Sequence, residues 1–175
     1  MAESFTNALK KSVGSTVLNT SATIGISTNI ITGITTTGIS VGDLVHQPYF
    51  IGGTRVTILG INAVAVDSTS TNTGIVTSQI VRTLGITTAY SASEKSILIG
   101  GTIANNTTSQ VSAFVQVSSG STSYNLLYNV PVPAGSSVVI SDAGKTMLNA
   151  GDQIRVASDV ANSLDVTLSI LTGVS

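Results

Sequence analysis

The sequence predicts an all-β fold of two modules: a small N-terminal β-barrel or sheet module, followed by an antiparallel β-sandwich of jelly-roll type. Three observations predict it. From Val13 onward, β-branched Ile, Val and Thr alternate with small polar residues, as in strands. The 17 Gly residues recur every few positions and mark frequent turns. Beyond the first dozen residues, no apolar pattern with the period of a helix is sustained.

Residues 1–84 are assigned to an N-terminal arm and the small β module. The arm, Met1–Ser12, is the only stretch with helical character, because Phe5, Leu9 and the alanines line one face of a helix. Short apolar runs separated by Gly, Pro and polar turns predict the strands that follow: Ala22–Ile26, Val41–His46, Thr54–Leu59, Ala63–Asp67 and Ile75–Arg82.

Residues 85–175 are assigned to the sandwich module. Leu84–Glu94 is small and polar without periodicity, which predicts a linker and a domain boundary near Gly85. In Val111–Val117 and Leu164–Ile170 every second residue is apolar, as expected of half-buried antiparallel strands. Seven strands are predicted: Ser96–Ala104, Gln110–Ser118, Ser123–Val132, Ser137–Ser141, Lys145–Leu148, Gln153–Ser158 and Leu164–Leu171.

A Gly-Asp pair occurs in each module. Gly42-Asp43 and Gly151-Asp152 both lie between apolar residues, and Gly-Asp is common in tight turns. We interpret the pair as one local turn used twice, and not as a sequence repeat.

The composition excludes several classes of protein. Charged residues make up 9% of the chain, against roughly 25% in a typical globular protein. Seven Lys and Arg scattered among eight Asp and Glu supply no basic patch for nucleic acid. A mean hydropathy of +0.44 with a net charge of −1 excludes an intrinsically disordered chain. Without Cys, there is neither a disulfide framework nor a thiolate metal site.

The N-terminus does not have the order of a secretory signal. Glu3 and several polar residues come first, and Lys10 and Lys11 follow them, whereas a signal begins with positive charge and continues into an apolar run. The longest apolar runs are a few residues, such as Ile97–Ile99, so no membrane span is expected.

The sequence offers no catalytic constellation. His46 is the only His, and no Gly-x-Ser-x-Gly motif accompanies it, so we predict a partly buried or interface side chain and no enzyme. Asp152, Asp159 and Asp165 are close in sequence and make a calcium site conceivable. No Asp-x-Asp-x-Asp-Gly pattern is present, so turn and solvent roles are favoured, and no metal or cofactor is expected.

Aromatic residues are the remaining candidates for a functional surface. With no Trp, only Tyr49-Phe50 and Tyr124 with Tyr128 could stack on a sugar. Tyr124 and Tyr128 are four residues apart and are therefore expected on one strand face. Large aromatics more often anchor buried contacts than bind sugars, so all four are predicted as interface anchors.

Three motifs stand in the second half: a Pro-x-Pro-Ala-Gly turn, an Ala-Gly-Asp-x-Ile turn and an Asn-Ser-Leu-Asp-Val strand, at Pro131–Gly135, Ala150–Ile154 and Asn162–Val166. Together they resemble a module of small virion structural proteins of tailed bacteriophages, especially phages of marine cyanobacteria. In the first half, Gly38–Asp43 and Gly53–Ile58 are similar to small β modules of phage surface proteins. Tyr49–Gly52 departs from these modules, where a Pro-Ala-Gly turn is typical.

The resemblance implies a capsid decoration or cement protein that binds the outer face of the major capsid protein shell and stabilises it. It implies a location on the capsid surface after assembly in the host cytoplasm. A homo-oligomer is expected, with a trimer favoured by capsid geometry. The alternative is a tail, neck or short-fibre component with a receptor-binding role, and a lectin is the weakest reading.

Overall fold

The computed structural model describes residues 3–140 and 144–174. Within these residues the chain contains only strands, turns and irregular segments, so the predicted all-β class is confirmed. The strands are β1 (Ser4–Val13), β2 (Thr16–Ile24), β3 (Ile30–Thr32), β4 (Leu44–His46), β5 (Val56–Gly60), β6 (Ala63–Val66), β7 (Val76–Leu84), β8 (Thr87–Ser91), β9 (Ser96–Asn105), β10 (Val111–Ser119), β11 (Thr122–Val132), β12 (Ser137–Ile140), β13 (Thr146–Leu148), β14 (Gln153–Ser158) and β15 (Leu164–Thr172).

The chain divides into two compact units. Unit 1 comprises residues 1–14 and 87–175, and unit 2 comprises residues 15–86. Unit 2 is therefore an insertion into the chain of unit 1. Unit 2 ends at Ile86, next to the boundary predicted near Gly85, but the first 14 residues, which the sequence assigned to the N-terminal module, belong to the same unit as the C-terminal half.

Unit 1 is an antiparallel β-sandwich. One sheet has the order β1-β15-β9-β12, with β13 also paired to β9, and the other has the order β11-β10-β14-β8. The core between them includes Leu164, Val166, Leu168 and Ile170 of β15, all nearly inaccessible to solvent. The apolar residues of the alternating pattern predicted from the sequence therefore form the buried face of this strand.

Unit 2 contains one six-stranded sheet in the order β4-β7-β2-β3-β6-β5. Its own core includes Ile24, Ile31 and Val81. A bridge between Leu44 and Arg55, and a 2.8 Å hydrogen bond from the Val45 N–H to the Thr54 carbonyl, join β4 to the start of β5. The two outermost strands of the sheet are thus connected over a short stretch. The barrel form predicted for this module stays a prediction.

From Ser4 onward the N-terminal arm is a strand, so the helical character predicted for this stretch was wrong; Met1 and Ala2 lie outside the described residues. β1 pairs antiparallel with β15, and Phe5 lies opposite Leu171. Residues spaced four apart suit either a helix face or one side of a strand. The choice is made here by hydrogen bonds to a strand more than 150 residues away, which no local pattern reveals.

The predicted linker, Leu84–Glu94, contains β8, so this prediction was also wrong. β8 pairs with β14, and Ala89 and Ala92 contribute to the core of unit 1. The small side chains that suggested a loop fit instead against the packed sheets. Unit 2 ends just before this strand, and the Gly85 N–H donates to the Ser15 carbonyl at 2.7 Å, so the two ends of that unit are held together.

Candidate functional site

The predicted anchors of the first module lie against its core. Phe50 is only 6% exposed and belongs to the core of unit 2, and Tyr49 is half-buried against that core. The Tyr49 carbonyl accepts a 2.8 Å hydrogen bond from the Thr71 N–H. The prediction of Phe50 as an interface anchor is therefore corrected: the loop after Pro48 folds back and places this ring inside.

The second aromatic pair does not share a strand face, which corrects the prediction from spacing. Tyr124 lies opposite Val117, a core residue, and is 61% exposed. Tyr128 contacts Phe114 edge-on, with ring centroids 5.3 Å apart, and Phe114 is three residues before Val117 on β10. Register shifts between β10 and β11 act as β-bulges and reverse the alternation between the two tyrosines. The two rings therefore form no common stacking platform.

His46 lines a surface cavity in unit 2. The cavity has a volume of about 260 Å³ and is bounded by His46, Pro48, Ile80 and Arg82. His46 and Arg82 are opposite each other on β4 and β7. The described residues of its lining contribute an imidazole and a guanidinium beside the apolar side chains of Pro48 and Ile80.

The two Gly-Asp pairs form the same turn, as predicted. The Asp43 N–H donates to the Ser40 carbonyl at 3.1 Å, and the Asp152 N–H donates to the Asn149 carbonyl at 3.0 Å. The Asp43 carboxylate in turn accepts the Ser40 N–H at 2.8 Å, and the Asp152 carboxylate accepts the Asn149 N–H at 2.8 Å. Gly42 and Gly151 occupy the third position with φ of 95° and 93°. Such a turn closes the backbone immediately before β4 and before β14.

Three further Asp carboxylates accept backbone N–H groups. Asp159 accepts the Ser112 N–H at 2.7 Å, and Asp165 accepts the Ser12 N–H at 2.8 Å. Asp67 accepts the Arg55 N–H at 2.8 Å. Across residues 3–140 and 144–174, no three His, Asp or Glu side chains are grouped so as to hold a metal ion. These three Asp side chains thus act as acceptors for backbone N–H groups.

The outer face of the β1-containing sheet carries an apolar row, which the sequence reasoning missed. Phe5, Leu171, Ile97 and Met147 are successive cross-strand partners on β1, β15, β9 and β13. They point away from the core, and Phe5 is 76% exposed. The spacing of Phe5 and Leu9 is the signal that could have revealed this row, had β1 been assigned as a strand.

Unit 2 carries a second exposed apolar row. Ile58, Ala65 and Ile30 are cross-strand partners on β5, β6 and β3. Ile61, at the tip of the β5–β6 hairpin, is 94% exposed. Hairpin tips favour Asn, Gly and Asp, so the turn itself does not require an Ile at this position. Ile58, Ile30 and Ile61 are hereafter called the unit 2 apolar surface.

Comparison with protein-family models, with curated proteins and with solved structures found no match. In the part of the chain that the structure describes, no helix is long and apolar enough to cross a membrane. A functional proposal therefore depends on the exposed surfaces and on the motifs of the chain itself.

Proposed function

We propose that this chain is a virion structural protein of a tailed bacteriophage that decorates the capsid. It binds the outer face of the shell formed by the major capsid protein and stabilises that shell, as a homo-oligomer. The observation that carries the proposal is the unit 2 apolar surface, above all the nearly fully exposed Ile61. Exposed apolar side chains in a row are typical of a surface that is covered by a partner.

The energetics suit attachment in many copies. Burying an Ile side chain contributes ~1.5–3 kcal/mol, so a few such residues give useful affinity at each site. With charged residues at 9% of the chain, few ions lose water when the surface is covered. Thr and Ile also lose less side-chain entropy on ordering than Lys or Glu. A ligand that binds only the assembled shell stabilises it by mass action.

The proposal assigns the shell contact to the unit 2 apolar surface. Ile58→Ser and Ile61→Ser together should strongly reduce binding of the purified protein to shells that lack it, measured by co-sedimentation. Val139→Ser is the matched control, because it also removes an exposed apolar side chain but lies in unit 1. Equal binding by the double variant and the parent protein would contradict the assignment.

Copy number and location on the particle test the function itself. Decoration requires many copies distributed over the shell, and particles without the protein should lose resistance to heat. A few copies confined to the tail would overturn the proposal and favour the tail or neck alternative. Robust particles that fail to adsorb to the host would likewise favour the receptor-binding role.

A further inference from the structure

β1 forms an open edge of the unit 1 sandwich. Among the described residues it pairs with β15 alone and is the end strand of its sheet. Nine of its ten residues, from Ser4 to Ser12, are exposed or half-buried. An edge strand leaves a row of N–H and C=O groups that a further strand can pair with.

The other edges of unit 1 are protected, whereas β1 is not. β11 contains Pro131, and Asn129 within it has φ of 53°, so its edge is interrupted. β8, β12 and β13 are 5, 4 and 3 residues long. β1 has neither Pro nor Gly, and its register with β15 is regular from Ser4 to Lys10; its register shift, with Ser12 at φ of 55°, lies beyond that stretch. Its free edge is therefore the one suited to strand addition.

The sequence of β1 is complementary to itself in the antiparallel direction. If two copies are placed with Asn7 opposite Asn7, each Phe5 lies opposite Leu9 of the other copy, and each Glu3 lies opposite Lys11. Cross-strand apolar pairs and opposite charges stabilise antiparallel strands. Because the arrangement is symmetric, each of these pairs occurs twice.

Neighbouring registers lose this complementarity. Moving one copy by two residues places Phe5 opposite Asn7 and Glu3 opposite Leu9. Moving it the other way places Phe5 opposite Lys11. Lys10 lies opposite Ser4 when Asn7 is central, so no like charges meet. The chemistry of the side chains therefore selects one register.

We propose that the protein self-associates through β1 as a two-fold symmetric pair, with β1 of one copy antiparallel to β1 of the other and Asn7 at the axis. The two five-stranded sheets then become continuous. Phe5 and Leu9, which are 76% and 67% exposed in the single chain, are brought together across the new contact. The inference depends on β1 alone and does not require the capsid role.

A single introduced Cys tests the symmetry. The chain has no Cys, so Asn7→Cys provides one thiol in each copy. Directly opposed residues in antiparallel strands have Cα atoms about 4.5–5.5 Å apart, within disulfide range. Asn7→Cys should form a covalent dimer under mild oxidation, whereas Ser4→Cys, which faces Lys10 of the other copy, should not. Equal cross-linking of the two variants overturns the proposed register.

Mass in solution tests the contact itself. Sedimentation should show a concentration-dependent dimer of the 17.7 kDa chain. Phe5→Ser should weaken association by about two- to thirtyfold because it removes two apolar pairs. Ile75→Ser, a loss of an exposed apolar side chain in unit 2, is the control and should leave the mass distribution unchanged. Thermal unfolding of each variant verifies that it is folded. A monomer at all concentrations, or an oligomer insensitive to Phe5→Ser, overturns the proposal.

Charge exchange tests the pairing of Glu3 with Lys11. Glu3→Lys and Lys11→Glu should each weaken the dimer by roughly three- to tenfold at low salt, because two attractive pairs become repulsive. The double variant should restore the parent affinity, since it only exchanges the positions of the two charges. A double variant as weak as the single ones overturns the assignment of opposite charges across the axis.

Discussion

Asp43 and Asp152 close the same turn in different units, although the sequences around them share little beyond Gly-Asp. The carboxylate two atoms from the backbone reaches the N–H three residues earlier, and Gly supplies the positive φ that the turn requires. At this scale a dipeptide is enough to specify the turn, because the groups that close it, on the Asp and on the residue three positions earlier, lie within four residues.

Gly42→Ala should lower the free energy of unfolding by about 1–2 kcal/mol. A Cβ at this position meets nothing within 4 Å, so the loss comes from the φ of 95° alone. Gly74 is a matched control in the same unit, because its surroundings are equally open and its φ is ordinary. Gly74→Ala should be neutral or slightly stabilising. Equal destabilisation by the two changes, measured by denaturant unfolding, would contradict this account.

Asp43→Asn should change how stability depends on pH. Burial raises the pKa of the Asp43 carboxyl above its ordinary value of 3.8, and the N–H groups of Ser40 and Ile86 partly oppose this. The folded protein therefore binds this proton more tightly than the unfolded chain does. The contribution of Asp43 to the free energy of unfolding consequently falls as the pH rises from about 3.8 through the raised pKa.

The Asn side chain keeps an oxygen for the Ser40 N–H but does not ionise. The variant should therefore lose that decrease of stability with pH, as measured by denaturant unfolding between pH 3 and pH 7. Ser40→Ala, an uncharged change in the same turn, should keep the slope of the parent protein. An unchanged slope in Asp43→Asn would show that Asp43 is not the titrating group.

At the scale of strands, Asn105 shows how two sheets of the sandwich are connected. It ends β9 and is buried, and its amide donates to the carbonyls of Ser109, Val132 and Pro133 at 2.8, 2.9 and 3.1 Å. Its oxygen accepts the Thr107 N–H at 2.9 Å. Val132 ends β11, which belongs to the other sheet.

Asn105→Ala should lower the free energy of unfolding by about 2–3 kcal/mol, because buried carbonyls lose their donor. The side-chain amide of the neighbouring Asn106 makes an exposed contact to the Asp165 carboxylate at 3.3 Å. Asn106→Ala is therefore the control and should cost less than about 0.5 kcal/mol. Thermal unfolding of the two variants checks the difference, and similar losses would contradict the connecting role of Asn105.

Strand assignment from sequence succeeded where neighbours in the sheet bury one face. β15 shows this, because every second side chain from Leu164 to Ile170 is buried and each of these is apolar. It failed at β1 and β8. Most of β1 is exposed on both faces, with Ala8 half-buried against the core and only Val13 buried, so its sequence shows no alternation of apolar and polar residues. β8 is short and consists mostly of small side chains, and its position in the sheet depends on its pairing with β14.

For the whole molecule, the separation into units follows from which strands pair. Thr16 lies opposite Leu84, so unit 2 begins and ends on neighbouring strands. β1 and β15, at opposite ends of the chain, are likewise neighbours in unit 1. Each unit thus holds its own chain ends together, which favours independent folding of the inserted segment.

A fragment of residues 15–86 should fold by itself, with a dispersed NMR spectrum and a cooperative thermal transition. A fragment of residues 85–175 lacks β1 and leaves β15 without its partner, so it should be less stable or associate through that strand. Adding residues 1–14 as a separate peptide should restore its stability. An unfolded 15–86 fragment, or a fully stable 85–175 fragment, would contradict the division seen in the structure.

The sequence by itself determined the all-β class, the Gly-Asp turns and the core face of β15, because these depend on periodicity and on contacts within a few residues. Only the tertiary structure decided that β1 is a strand of the second half, that Phe50 is in the core and that Tyr124 and Tyr128 face apart. Each of these depends on a hydrogen-bond register or a packing contact with distant residues, and a one-residue bulge is enough to reverse a face. The exposed rows of apolar side chains belong to the same group, since a row exists only once strands from remote parts of the chain lie side by side.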